Sequence, residues 1–463
     1  MDFDVVVCGA GSAGCITATM LAKKRKLNVA LLDRKSQDNI GRKVCGDAIA
    51  EFHFTNVQKE LDIPCPTGKE LQKIVKGLDL FSPDKQNKMR LIGGDQEGFI
   101  IDRHLFGQRL LGYALDAGVN MFDEIQVQDL IVNKAQITGV NVKSKKDKEI
   151  KRLEAKIVVD ATGSSSVLRK NLTPELASDI ELNISKEDVG FAYREIRELK
   201  QNLPEDDYLK LYFAEKLAPG GYIWHFPRGE KVTPSVNAGI GIAQSIPPPS
   251  PKERFYNYMK TTSLFKDSKL ITGGAGLVPM RRPNKSFVTN GLVLVGDAGW
   301  QVNPLHAGGL GTTLESGIMA ANAIADAINS ENITPKGLWN YNVIYNRSIG
   351  AKHAPLDIFR LLLRQVSDQD LNIGMMVGLV TDNDLDKISR GLDIELSFIE
   401  KVKRGFKGRK ILRTLIKIQS ATKRMKRIKK LYQDYPDSPE NLENWNKKVI
   451  ELYKGFHPDL NYK

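Results

Sequence analysis

The sequence predicts a mixed α/β fold. A parallel-sheet unit is interleaved with an antiparallel-sheet unit, and a mostly helical region follows. Three observations predict it. An apolar run, Val5 to Val7, leads straight into Gly9-Ala10-Gly11-Ser12-Ala13-Gly14 and a helical pattern. Two later apolar runs end in tight turns, Asp160-Ala161-Thr162-Gly163 and Gly296-Asp297-Ala298. Between them, from about Asp179 to Lys285, strand-like runs such as Leu209 to Phe213 and Val236 to Ile242 alternate with proline-rich loops.

The first glycine-rich segment implies a ligand. A strand carries the chain in, and Gly9, Gly11 and Gly14 let the backbone turn sharply beside a pyrophosphate. The following helix, from about Cys15 to Lys23, offers its unpaired N–H groups and positive dipole end. A second strand, Asn28 to Leu32, ends in Asp33, about 20 residues beyond Gly14, the spacing of an acid that binds ribose hydroxyls. Strand, helix, strand and acid in that order make a dinucleotide site. The later segments say which dinucleotide. Ile157 to Val159 runs into the Asp160 turn, and Gly291 to Val295 runs into Asp297. Pro304-Leu305-His306-Ala307-Gly308-Gly309-Leu310-Gly311 then opens a helix that continues through Ile328. A nicotinamide protein has no use for these parts. An FAD protein must also hold a ribityl chain and a ring. The set resembles the glutathione-reductase-like FAD fold, in the branch typified by p-hydroxybenzoate hydroxylase. That resemblance assigns a ribityl hydroxyl to Asp297. It also aims the helix after Gly309 at the flavin's pyrimidine edge, where the dipole stabilises negative charge.

With 463 residues, two or three units are expected, and 41% hydrophobic content is ample for a core. The expected FAD unit comprises residues 1–68, 98–172 and 289–330. The second, substrate-binding unit comprises 69–97 and 179–285, and 331–463 form a helical region. Four scattered cysteines make neither a disulfide framework nor a metal site. Cys8 and Cys15 read as small buried packers. The N-terminus enters a strand directly and no apolar run reaches the ~20 residues of a membrane span, so a cytoplasmic location is expected. The net charge of +13 is concentrated: Lys401 to Lys430 carries 14 Lys or Arg and no acid. Ile411, Leu415, Ile418, Met425 and Ile428 recur at helical spacing, which predicts a basic amphipathic helix over about 401–432. Either the stripe packs on the body, or the helix lies on a membrane whose anionic headgroups attract each cation by about 1 kcal/mol. Nucleic acid is not expected, because Phe406 is the tract's one aromatic residue and base-stacking platforms are missing.

The second unit contains Pro219-Gly220-Gly221-Tyr222-Ile223-Trp224-His225-Phe226-Pro227. Strand alternation puts Tyr222, Trp224 and Phe226 on one face, as a sheet core or as the wall of an apolar slot. The segment resembles the PxxYxWxFP motif of the geranylgeranyl reductases, flavoenzymes that saturate isoprenoid chains. Lys43-Val44-Cys45-Gly46-Asp47 resembles that family's Cys-Gly segment beside the flavin, and Ile101-Asp102-Arg103 its flavin-contacting arginine. The archaeal branch, acting on membrane ether lipids, fits best. The resemblance runs from Met1 to about Ser330. It implies flavin contacts from Gly14, Asp33, Cys45, Gly46, Ala48, Arg103, Val127, Asp297, Gly309 and Leu310, several through the backbone. Two departures stand out. Ala307-Gly308-Gly309 replaces a frequent run of three glycines, and Asp47-Ala48 stands where relatives carry Glu-Gly.

The implied reaction is hydrogenation of an isolated alkene, with hydride from N5 of reduced FAD and the chain held in a tunnel lined by Tyr222, Trp224 and Phe226. Cys45 is expected nearest the alkene, as proton donor, positioner or flavin tuner, or as a packing residue only. His306 is a second candidate proton relay, against a structural role. His225 alternates onto the opposite face. With no second glycine-rich βαβ segment, the electrons are expected from transiently docked NAD(P)H or reduced ferredoxin. A monomer bound peripherally at the inner membrane surface is expected. Two alternatives remain at this point: a flavin monooxygenase or epoxidase on the same fold, and a lipid- or nucleic-acid-binding flavoprotein without turnover.

Overall fold

The computed structural model describes residues 2–92, 97–146, 148–229, 234–378, 381–382 and 412–457. Strand β1 (Phe3–Cys8) is buried from Val5 to Cys8, as a strand covered on both faces requires. It lies within a sheet of order β17 (Val288–Thr289), β18 (Leu292–Leu294), β11 (Ile150–Asp160), β1, β2 (Val29–Leu32), β8 (Asn120–Phe122). β1 pairs in parallel with β2 and β11, and the hairpin β9 (Ile125–Asn133) and β10 (Gln136–Ser144) joins at β11. Helix α1 (Ser12–Lys23) packs against α3 (Arg103–Asp116) and α6 (Leu310–Asn329). Gly14 lets α1 sit on the incoming loop, since a Cβ there would lie 1.8 Å from the Gly9 carbonyl oxygen.

The second sheet has the order β16 (Lys269–Pro279), β12 (Val189–Glu198), β15 (Ser235–Ala243), β14 (Tyr222–Arg228), β13 (Tyr208–Tyr212), β5 (Gly77–Phe81), β6 (Lys88–Ile92). It is antiparallel except where β13 meets β5. One face carries α5 (Pro251–Lys260), with Phe255, Tyr258 and Phe265 in its core. Residues 69–97, expected to join this unit as a block, divide. β5 and β6 join the seven-stranded sheet. β4 (Leu71–Val75) pairs instead with β7 (Gly98–Ile101), which also pairs with β3 (Ala48–Ala50). This small sheet brings the Cys45 segment against the second unit.

The C-terminal helices are α7 (Pro335–Tyr345), α8 (Ala351–Leu363), α9 (Asp368–Met376), α10 (Leu412–Gln433) and α11 (Leu442–Tyr453), after the short α2 (Phe54–Leu61) and α4 (Val167–Lys170) earlier in the chain. Helix α10 is the described part of the basic tract; 401–411, with Ile411, lies outside the described residues. Its stripe packs on α8: Ala421, Met425, Ile428 and Tyr432 are buried, and Leu415 and Ile418 half-buried. The apolar face is therefore taken up by the body. Asp188 anchors this region to the second sheet, accepting from Arg360 (2.7 Å) and pairing with His457 (3.0 Å). Burial alone would raise its carboxyl, but Arg360 and His457 hold it far below the usual range. Among the described residues no helix is long and apolar enough to cross a membrane.

Truncating Ile428, which is fully buried, removes packing at the α10–α8 contact. Ile428→Ala is expected to cost about 2–4 kcal/mol in denaturant unfolding. A loss below about 0.5 kcal/mol, the level of a neutral surface change, would show that the basic helix is not part of the cooperative fold.

Candidate active site

The β1–α1 turn is built for close approach to an anion. Gly9 has φ +111°, which only glycine takes up freely, and Gly11 faces open space. Asp33 braces this loop. Its Oδ2 accepts from the Ala10 N–H at 2.8 Å and its Oδ1 from that of Lys35 at 2.9 Å, leaving lone pairs for a hydroxyl donor. Strand β9 starts where the Ile125 N–H donates to the Asp33 carbonyl, so Val127 lies two residues from that bond. Arg103 opens α3, capped by Asp102, whose carboxylate accepts from His104 and Leu105. The Arg103 guanidinium reaches Ser12 Oγ at 3.4 Å, while its Nε and Nη1 are buried without a hydrogen-bond partner. A guanidinium with two bare nitrogens beside a glycine loop suits a phosphate-bearing ligand. The residues present thus fit FAD: the loop, Asp33 and Arg103 at the nucleotide end.

At the other end, Asp297 lies in the turn Gly296–Gly299, accepting from Lys43 Nζ (3.2 Å) and Ser164 Oγ (3.3 Å). A Cβ on Gly309 would lie 3.3 Å from Asp297 Oδ1, so this carboxylate and the start of α6 at Leu310 are neighbours. The first-turn N–H groups of α6 have no partners within the helix. Trp300, fully buried at φ +58°, ends the Asp297 turn. Its ring lies beneath the guanidinium groups of Arg169 (4.6 Å) and Arg281 (4.3 Å).

The Cys45 turn is held from the second sheet. Its carbonyl accepts from Arg194 Nε (3.0 Å) and Asn237 Nδ2 (2.9 Å). Asp47, buried at φ +65°, accepts from the same Asn237 amide at 2.7 Å and has Arg194 and Arg228 at 3.5 Å. Burial pushes its carboxyl up to about 6, against the pull of Arg194, Arg103 and Arg228. Arg228 also binds Asp102 at 3.0 Å, tying the turn to the cap of α3. Ala48 begins β3 opposite Ile100. Gly46 touches Phe226: a Cβ there would lie 2.9 Å from the ring.

On β14, Tyr222, Trp224 and Phe226 share one face, with successive centroids 6.1 and 6.4 Å apart. Trp224 is core, lying across Gly239 and donating to Asn237 Oδ1 at 3.0 Å. Tyr222 and Phe226 are half-buried, and the Tyr222 hydroxyl donates to the His306 carbonyl at 2.6 Å. Burial, then the nearby Cys45, raises the Tyr222 phenol. Strand register extends the face sideways: Leu211 lies beside Trp224, Leu80 beside Leu211, and Met89 beside Leu80. Leu356 of α8 packs in the same cluster. On the opposite face His225 is bonded to Tyr258, and burial pushes its imidazole down to about 3.

His306 is open to solvent, yet the protein surrounds it so closely that desolvation pushes its imidazole down to about 4. Its Nδ1 accepts from the Gly308 N–H at 3.1 Å, so the neutral ring carries its proton on Nε2. Sequence reasoning missed Arg194, Asn237 and Arg228, which hold the Cys45 turn. It also missed His53, whose Nδ1 donates to Glu315 at 2.7 Å against the first turn of α6. Charged and amide side chains at inward positions of otherwise apolar strands were the available signal for the first group.

Arg103 has one long hydrogen bond within the protein, so its role should show in binding. Arg103→Met is expected to weaken FAD binding at least about tenfold by fluorescence titration, with little change in apoprotein stability. Unchanged affinity would remove Arg103 from the cofactor site.

Comparison with known proteins agrees with this geometry. The family model for FAD dependent oxidoreductases matches residues 4–171, and that for the geranylgeranyl reductase catalytic domain matches 188–278. The chain is 36% identical over 462 residues to a digeranylgeranylglycerophospholipid reductase of Sulfolobus acidocaldarius, covering 100% of this chain and 99% of the relative. A namesake from Methanothrix thermoacetophila is 28% identical over 379 residues, 80% of this chain and 90% of the relative. Among solved structures, a geranylgeranyl bacteriochlorophyll reductase-like protein of Thermoplasma acidophilum superposes with a TM-score of 0.72 at 22% identity, covering 89% of this chain and 99% of that one. The flavin-dependent brominase Bmp2 superposes with 0.64 at 16% identity, over 87% of this chain and 98% of that one, a likeness of fold alone. With 36% identity to one such reductase over the full length of both chains, and both family models matched in order, this chain belongs to the geranylgeranyl reductase family of FAD-dependent oxidoreductases.

Proposed function

We propose that this protein is an FAD-dependent reductase that hydrogenates carbon–carbon double bonds of geranylgeranyl chains in isoprenoid ether-lipid precursors. The contact between Gly46 and Phe226 carries the reading. It seats the turn expected beside the flavin directly on the face expected to hold the alkene. The relatives' names specify a glycerophospholipid with such chains, and the floor of Trp224, Leu211, Leu80 and Met89 suits the same class.

An isolated alkene has no polar handle, so the chain is gripped by shape and apolar contact, with water kept out. Bound FAD, when reduced, supplies a hydride from N5. The loop at Gly9, Gly11 and Gly14, with Asp33, Arg103 and Val127, holds the nucleotide end; Asp297, Gly309 and Leu310 hold the ribityl and ring end. Tyr222, Trp224 and Phe226 position the alkene. The Cys45 thiol gives the second carbon its proton, and the neutral His306 ring, with its hydrogen on Nε2, passes protons inward from solvent. NAD(P)H or reduced ferredoxin reloads the flavin, and the protein works as a monomer at the membrane surface.

The test is mass spectrometry of a geranylgeranyl glycerophospholipid after incubation with dithionite-reduced enzyme under strict anaerobiosis. Products heavier by pairs of hydrogens are expected; products formed only with oxygen, and carrying it, would contradict the reading. In the same assay Cys45→Ala is expected to slow a single turnover by about 10²-fold, the scale of one lost proton donor, at normal flavin content. An unchanged rate would take the thiol out of the mechanism.

A further inference from the structure

We propose that the protein docks on an anionic lipid bilayer through the outer edge of its seven-stranded sheet, at Leu270 and Ile271 of β16 and the basic hollow beside them. β16 is the end strand of that sheet, and its first residues, Lys269 to Gly273, are exposed. Leu270 is 51% and Ile271 59% exposed. Neighbours on a strand normally point to opposite faces. Here the register slips: Thr272 faces Ile196, Leu270 faces Arg197, and Ile271 is the extra residue of a bulge. Two branched aliphatic side chains are thus presented side by side to water.

Lys269 precedes Leu270 on the strand, opposite Glu198. Lys260 and Lys266 line a hollow of about 460 Å³ with Thr261, Thr262, Ser263 and Arg197, whose guanidinium is already paired with the buried Glu195 and bonded to Ser268, so the free charge here is that of the lysines. From Lys260 to Ile271 the chain carries three lysines against one acid, Asp267. Apolar side chains that enter the acyl boundary, flanked by cations and hydroxyls at phosphate level, are the chemistry of an interfacial anchor. A bulged edge bearing lysine is a poor template for strand addition, which disfavours a second copy of the chain as the occupant. Helix α10 has more cations, but Ala421, Met425 and Ile428 are buried against α8, and among its described side chains Ile416 is the one large apolar group that is exposed, against the adjacent pair on β16. The inference rests on the lipid reading, since the bilayer is what presents the substrate; its test needs no turnover.

The test is flotation of the flavin-loaded protein with vesicles of phosphatidylcholine containing one-third phosphatidylglycerol, with flavin absorbance reporting the folded state. Native protein should float, and less so as salt rises. Leu270→Asp/Ile271→Asp should lower the vesicle-bound fraction at least about tenfold. Lys260→Glu/Lys266→Glu/Lys269→Glu should do the same and abolish the salt dependence. Lys423→Glu/Lys426→Glu/Lys430→Glu in α10 should float like the native protein. Failure of the native protein to float, native-like flotation of the first two variants, or loss confined to the α10 variant would overturn the proposal. So would a change in sedimentation from dimer to monomer in the Leu270/Ile271 variant, which would make the patch a self-association surface. Flotation as expected from a protein inactive on the lipid would leave docking standing and remove the catalytic reading instead.

Discussion

One carboxamide holds the two halves of the site together. Asn237 accepts from the Trp224 indole and donates both its hydrogens, one to the Cys45 carbonyl and one to Asp47. Every hydrogen-bonding group of the amide except a lone pair is thereby used, and its orientation is fixed. The strand that carries the aromatic face and the turn that belongs to the FAD unit are locked at one spacing. The contact of Gly46 with Phe226 follows from that lock, as does the place of Cys45 near Tyr222.

Burying Asp47 beside this amide is costly, and the fold offsets the cost with charge. Arg194 and Arg228 approach the carboxylate, and Arg228 runs on to the cap of α3, whose first residue is Arg103. Removing one partner of such a pair leaves an uncompensated buried charge, which is far worse than never having built it. Arg103 and the Cys45–Asp47 turn therefore share one electrostatic framework. A second framework, Asp188 with Arg360 and His457, fastens the C-terminal helices to the other end of the same sheet. The helices that close over the aromatic cluster are positioned through it.

Much of this was legible from local sequence. The glycine loop, its strand and helix, and Asp33 are contiguous, and their spacing encodes a geometry that needs no distant partner. The aromatic alternation on β14 was legible for the same reason, as was the exclusion of His225 from the site face. The clamp was not. Arg194, Arg228 and Asn237 lie 149 to 192 residues from the groups they hold in the Cys45 turn, and nothing in their local pattern names those partners. The division of 69–97 between two sheets was hidden likewise, because pairing partners are set by topology rather than propensity. The basic helix shows the limit of periodicity. Its stripe announced a buried face without saying whether protein or lipid would cover it, and in α10 the cover is α8.

The most direct measurement is a crystal structure of the FAD-loaded protein with a saturated isoprenoid glycerolipid bound. The account predicts that one chain lies along the face of Tyr222, Trp224 and Phe226 and ends at the edge of the Cys45–Asp47 turn, with the flavin ring against the same turn and Phe226 still packed on Gly46. A chain seated elsewhere, or a turn parted from Phe226 with the Asn237 hydrogen bonds broken, would contradict it.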